Sequence, residues 1–137
     1  HEVERSKRSG DRFTVLFLDL DRLKEINDRF GHEAGNEVLK AVSQEIRTAV
    51  RASDLAARYG GDEFVVVLTR TDLVGAERVA EALRRGVEAV GLRLGCQVTV
   101  SIGIAEYDPD RPSSGDLLVN ADRALYRAKA AGRNTVA

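Results

Sequence analysis

The residues of this chain best suited to chemistry are carboxylates. Asp19 and Asp21 follow directly on an apolar run, Phe-Thr-Val-Leu-Phe-Leu at 13–18, and open sheets tend to place ligands at the carboxyl ends of their strands. Residues two apart on an extended chain share a face at about 6.8 Å, too far for one tight carboxylate pair but workable around a cation. Taken alone, such a D-x-D equally serves to cap a following helix. A second acid pair, Asp62 and Glu63, stands behind Gly60 and Gly61. If the turn carrying it lies beside the first strand, Asp62 and Asp19 converge on one hard divalent ion. Magnesium takes one or two carboxylates plus waters and phosphates, so this pair suits a nucleoside triphosphate.

Phosphate needs cations, and Lys24, Lys129 and Arg133 are the candidates. Lys129 and Arg133 are four apart across the end of a predicted helix, which makes them neighbours on one face. The helix dipole favours cations at that end in any case. The chain has no glycine-rich P-loop, which leaves side-chain cations as the phosphate holders.

The elements that must position these groups follow from hydrophobic periodicity. The run at 13–18 is nearly unbroken and reads as a strand buried on both faces. Leu23, Ile26 and Phe30 predict a short helix over 22–30 that Gly31 ends. Val38, Leu39, Val42, Ile46, Ala49 and Val50 recur on one helical face and predict a longer helix over 35–50. Strands at 55–59 and 64–68 flank Gly60-Gly61, which predicts a tight hairpin with positive φ at both glycines. Ala76, Val79, Ala80, Leu83, Val87 and Val90 mark another amphipathic helix, and the alternation over 97–105 marks another strand. Ser113-Ser114-Gly115-Asp116 offers caps for a last helix through Leu117, Leu118, Ala121, Leu125 and Ala128, closed by Gly132. Residues 133–137 are a candidate edge strand. This order, with an antiparallel hairpin and helical connections, predicts an α/β (α+β) sandwich with a mixed, largely antiparallel sheet flanked by helices.

Composition bounds the rest. With 137 residues, 43% hydrophobic and 31% charged, the chain fits one globular domain whose core needs no disulfide or structural metal. A balance of 21 Lys and Arg against 22 Asp and Glu argues against a nucleic-acid polymer or a membrane surface as partner. Cys96 is the only cysteine, which excludes an internal disulfide and a multi-cysteine zinc site and suits a reducing cytosol. Residues 1–12 are polar, with no apolar segment for a signal peptide or a membrane span. They are expected to be the end of an upstream linker or helix, with the domain proper over 13–137. A first residue His1 and no methionine predict a piece of a longer product, which could itself be tethered to a membrane through missing regions.

Four separated segments carry a resemblance: Leu18-Asp19-Leu20-Asp21-Arg22-Leu23-Lys24-Glu25-Ile26-Asn27-Asp28, Gly31-His32-Glu33-Ala34-Gly35-Asn36, Arg58-Tyr59-Gly60-Gly61-Asp62-Glu63-Phe64, and Ala124-Leu125-Tyr126-Arg127-Ala128-Lys129 with Gly132-Arg133-Asn134. In this order, across nearly the whole chain, they resemble the GGDEF family of diguanylate cyclases. The resemblance implies a fold similar to the nucleotidyl cyclase palm (ferredoxin-like) and the condensation of two GTP into cyclic di-GMP with release of pyrophosphate. It implies Mg2+ (or Mn2+) on Asp19, Asp62 and the main-chain carbonyl of Leu20. Lys24, Lys129 and Arg133 would hold phosphates, Asn27 and Asn36 would read guanine, and Gly60 and Gly61 would form the substrate loop. Asp62 and Glu63 would be catalytic, Glu63 as a further metal contact or as a helper in deprotonating the 3′-hydroxyl. Since one domain binds one GTP, the product implies a transient symmetric homodimer, governed in this family by upstream sensor or dimerisation segments.

Arg51-Ala52-Ser53-Asp54, whose aspartate lies eight residues before Asp62 of the signature, resembles the family's R-x-x-D product-inhibition site, where a guanidinium fork and a carboxylate take guanine edges. Two departures stand out. Asn36 replaces the usual Asp, giving one acceptor oxygen where two would face guanine N1 and N2. Leu23 replaces an aromatic residue. The alternative reading is a catalytically inactive GGDEF module that binds GTP or cyclic di-GMP and regulates an attached domain; such modules usually lose the signature acids, which this chain keeps.

Overall fold

The structure is a computed structural model that describes residues 11–110 and 117–137. Its sheet has four strands, β1 (Phe13–Asp21), β2 (Leu55–Arg58), β3 (Glu63–Thr69) and β4 (Thr99–Tyr107), in the order β2-β3-β1-β4, all antiparallel. Helices α1 (Leu23–Phe30), α2 (His32–Ala49), α3 (Leu73–Leu94) and α4 (Leu117–Ala130) connect and flank it. The α+β architecture expected from the element order is the one observed. Among the described residues, no helix is long and apolar enough to cross a membrane.

β1 is central and buried along almost its whole length, because alternate side chains serve two cores. Leu16, Leu18 and Leu20 pack with Val38, Val42, Leu83 and Val87 of α2 and α3. Phe13 and Val15 point the other way, towards Ala105, Tyr107 and Ala121. A strand with helices on both faces must be apolar on both, and this explains its unbroken run.

α4 docks closely because of one glycine. A Cβ at Gly103 would lie 2.2 Å from the Leu125 nitrogen and 2.5 Å from the Ala121 oxygen, so only glycine lets the α4 backbone settle on β4. Gly103 is level with Phe17, and the next level on that face joins Ser101 to Asp19.

Several boundaries differ from the periodicity reading. α2 begins at His32 rather than at about 35, because Gly31 (φ 93°) starts the helix directly and Gly35 N–H bonds the Gly31 carbonyl at 3.3 Å. Its first turn is polar, so the apolar pattern misses it. α3 runs from the Asp72 cap, whose carboxylate accepts from Gly75 N–H at 2.9 Å, to Gly95 in the left-handed region. The tight hairpin with positive φ at Gly60 and Gly61 is not found. Residues 59–62 form the wider connection, and left-handed glycines occur at Gly31, Gly95 and Gly132 instead. The candidate edge strand at 133–137 is reduced to one parallel bridge, Val136 with Ile102. The capping residues 113–116 lie outside the described residues.

Candidate active site

Register brings the acids together. Asp19 at the end of β1 pairs directly with Glu63 at the start of β3, and Leu20 N–H bonds the Asp62 carbonyl at 2.9 Å, stitching the connection to β1. The carboxylates of Asp19, Asp62 and Glu63 place ligand oxygens within 4.8 Å of one another. All are hard oxygen donors, the set that a divalent magnesium or manganese ion takes.

Electrostatics make this a place where positive charge is wanted. Burial raises the pKa of Asp19, the Lys129 hydrogen bond lowers it, and the nearby charges of Asp62 and Glu63 push it up again, for a net increase. Lys129 ion-pairs one Asp19 oxygen and provides a single positive charge among three acids. A further cation fits the donors and the charge imbalance alike.

Asp21, considered as a partner of Asp19, does not join this cluster. Its buried carboxylate accepts from Thr99 Oγ1 (2.8 Å), Ser101 Oγ (2.9 Å) and Asn134 N–H (3.1 Å), so it ties β1 to β4 and to the C-terminal turn.

The glycine connection is shaped by Arg58, a residue to which the sequence reading gave no role. Its guanidinium donates to the carbonyls of Gly60 (3.1 Å) and Gly61 (2.7 Å). A Cβ at Gly61 would meet nothing within 4 Å, so no contact inside the protein demands glycine there; open space over the loop leaves room for a close-lying ligand.

Asn27 lies where α1 meets α2. A Cβ at position 35 would fall 1.8 Å from its amide oxygen, so Gly35 makes room for it, and that buried oxygen has no hydrogen-bond partner. Asn36 is the next residue along and is exposed, as is Lys24 in the first turn of α1.

Lys129 and Arg133 are not helical neighbours, contrary to the spacing argument. α4 ends at Ala130, and Gly132 (φ 110°) and Arg133 (φ 65°) turn the chain out of the helix.

The R-x-x-D pair sits at the far end of β3 and is closed on itself. Asp54 is buried and accepts from Arg51 N–H (2.8 Å), Thr69 N–H (2.9 Å) and Thr69 Oγ1 (3.2 Å). The Arg51 guanidinium contacts the same carboxylate, the Thr69 carbonyl and Thr71 Oγ1. Burial pushes the Asp54 pKa up, but the backbone N–H groups of Arg51 and Thr69 and the Arg51 side chain outweigh it, and the net shift is down.

An antiparallel sheet with helices on both faces and a metal-competent acid cluster at one end of its central seam defines an α+β domain of the nucleotidyl cyclase palm type. Residues 1–135 match the family model described as diguanylate cyclase, GGDEF domain, and the chain belongs to that family. It is 39% identical over 139 residues to diguanylate cyclase A of Treponema denticola, covering 99% of this chain and 38% of that protein. It is 42% identical to diguanylate cyclase DosC of Escherichia coli K12, covering 98% and 30%. The GGDEF domain of DgcB from Caulobacter crescentus, solved in complex with c-di-GMP, superimposes with a TM-score of 0.86 at 32% identity, covering 98% of this chain and 82% of that one. The chain therefore spans well under half the length of these two curated relatives.

Proposed function

We propose that this chain is an active diguanylate cyclase domain, over residues 13–137 with 1–12 as the end of a linker, that condenses two GTP into cyclic di-GMP. The observation that carries this is the convergence of Asp19, Asp62 and Glu63 within 4.8 Å beside Lys129. In each half of the reaction the ribose 3′-oxygen of one GTP bonds to the α-phosphorus of the other. The bond from that phosphorus to the bridging oxygen breaks, pyrophosphate leaves, and the 3′ proton passes to a carboxylate or to water. No covalent intermediate with the protein is required, so catalysis is in-line positioning with charge neutralisation.

Asp19, Asp62 and the Leu20 carbonyl would hold Mg2+ or Mn2+, which when bound neutralises charge on the phosphates. Lys24, Lys129 and Arg133 are assigned to phosphate, with Lys129 exchanging part of its contact with Asp19 for it. Asn27, whose unpartnered amide oxygen accepts hydrogen bonds, and Asn36 are assigned to the guanine edge. Gly60 and Gly61 let substrate lie against the backbone. Glu63 acts as a third ligand or as acceptor of the 3′ proton. Glu63→Gln separates these: loss of a ligand raises the metal concentration needed, whereas loss of the acceptor lowers kcat at saturating metal.

Each copy holds one GTP and the product is a two-fold ring, so two copies must face each other. Sensor or dimerisation segments in the longer protein, acting in the cytoplasm, would govern that encounter. Product inhibition at Arg51 and Asp54 requires Arg51 to leave Asp54 and Thr69 and present its guanidinium to guanine.

Incubation with GTP and Mg2+ at high protein concentration, with dimerisation enforced by a fused coiled coil, is expected to yield pyrophosphate and cyclic di-GMP. Binding without turnover would identify a non-catalytic module that regulates an attached domain.

A further inference from the structure

The turn after α4 holds three consecutive residues in the left-handed region: Gly132 (φ 110°), Arg133 (φ 65°) and Asn134 (φ 44°). Glycine adopts it freely, but Arg does so only where its surroundings over-determine the backbone. Those surroundings are gathered on Asn134. Its N–H donates to Asp21 Oδ2 at 3.1 Å, its amide oxygen accepts from Arg84 Nη1 at 3.1 Å, and its amide nitrogen donates to Glu88 Oε2 at 2.9 Å. Every side-chain partner is itself anchored. Arg84 pairs with Glu81 and Glu88 on α3, and Thr99 and Ser101 hold Asp21. Just beyond, Thr135 accepts from Ile102 N–H at 2.9 Å, fixing the chain to the edge of β4.

Arg133 itself is exposed, and among the described residues no hydrogen bond or ion pair orients its side chain; its direction is inherited from the backbone that Asn134 clamps. We propose that Asn134, gripped by Arg84 and Glu88 of α3 and by Asp21 of β1, is a positioning residue that aims Arg133 at the substrate phosphates. The inference rests on the assignment of Arg133 to phosphate made above, and it adds α3 to the elements that build the site. Arg84 and Glu88 thereby act on substrate without touching it.

The test is a double-mutant cycle on substrate affinity. Wild type, Arg133→Ala, Asn134→Ala and the double variant are titrated with α,β-methylene-GTP and Mg2+, whose bridging carbon blocks turnover, and thermal melting is recorded beside each titration. Arg133→Ala is expected to weaken binding about tenfold to a hundredfold, the loss of a charge-assisted contact. Asn134→Ala is expected to weaken it about tenfold, and the double variant to be no weaker than Arg133→Ala alone. A merely structural Asn134 would lower the melting temperature yet leave the two affinity effects independent, and multiplying effects overturn the proposal. So does wild-type affinity in Asn134→Ala. If Arg133→Ala binds as wild type does, the phosphate assignment of Arg133 is what fails, and the proposal falls with it. Should Asn134→Ala not fold, Glu88→Ala, on the partly exposed side of α3, removes one arm of the clamp. About threefold weaker binding, absent in an Arg133→Ala background, is then expected, and an unchanged affinity overturns the proposal.

Discussion

Two buried aspartates mark opposite ends of the β1–β3 seam, and charge is handled oppositely at the two ends. Asp19 faces Glu63 and the nearby Asp62 across a strand pairing, with Lys129 as its ion-pair partner, and its pKa is raised, first of all by burial. Asp54, bonded to Thr69 at the other end of β3, is equally buried but takes two backbone N–H groups, a hydroxyl and a guanidinium, and its pKa is lowered. A satisfied buried carboxylate stabilises a fold; crowded ones cost stability and are kept where a cation or a substrate needs them. On the proposed reading the two ends separate turnover from stability, and substitutions should pull them apart.

The largest expected effect lies at the crowded end. Asp62→Asn removes a charge from the acid cluster, and GTP turnover, followed by pyrophosphate release in the enforced dimer, is expected to fall about 10³-fold. Its unfolding free energy in urea should stay within about 0.5 kcal/mol of wild type, because Asp62 is partly exposed and repelled by its neighbours. A large loss of stability in this variant would break the contrast.

At the satisfied end the ranking reverses. Asp54→Ala strands the buried Thr69 N–H and is expected to cost about 2–3 kcal/mol in urea unfolding at pH 7. The pH dependence sharpens the point. A carboxylate whose folded pKa is depressed contributes stability above its unfolded value of about 3.9 and loses it as pH falls through the lower folded value. The stability gap between wild type and Asp54→Ala should be flat at neutral pH and narrow below about pH 4. A gap that widens on acidification would contradict the lowered pKa.

A third effect tests how the glycine loop at the crowded end keeps its shape. Arg58→Ala frees the Gly60 and Gly61 carbonyls and is expected to weaken GTP binding about tenfold, the value of one or two charge-assisted hydrogen bonds, with little change in melting temperature. Equal affinity would mean that the loop holds its form without the guanidinium.

Much of the crowded end was legible in the sequence, and little of the satisfied end was. Asp19, Asp62, Glu63 and Lys129 carry their chemistry in their residue types, and although a strand ending in acid also reads as a helix cap, the four motifs in order single these residues out before any pairing is known. The structural role of Asp54 depends on Thr69, fifteen residues away, which only the β2–β3 register brings within reach. Asp21 read as a metal-site candidate because its serine and threonine partners lie 78 to 80 residues further on. Backbone conformation was the least visible. Paired glycines suggested positive φ at Gly60 and Gly61, whereas the left-handed residues include Arg22, Arg70, Arg133 and Asn134, of which only Asn is a type that favours it. Arg133 leaves the helical face predicted for it for this reason.

The smallest effect concerns which purine the site takes, and it bears on α1 and α2 rather than on the acids. Asn27 keeps its amide oxygen buried and unpartnered against Gly35, an acceptor that guanine N–H groups would satisfy and that the acceptor N1 of adenine would not. GTP is therefore expected to be turned over faster than ATP even with Asn at position 36. Asn36 is exposed on α2, and its amide supplies one acceptor oxygen together with donors that guanine N1 and N2 cannot use. Asn36→Asp supplies a second acceptor oxygen and should raise the ratio of kcat/KM for GTP over ATP about fivefold, the effect of one solvent-screened hydrogen bond at roughly 1 kcal/mol. Because this change leaves the acid cluster and Asp54 untouched, it should move selectivity without moving stability or the metal requirement. Equal rates on GTP and ATP in the wild type would remove Asn27 from the guanine site, and an unchanged ratio in Asn36→Asp would remove position 36 from it.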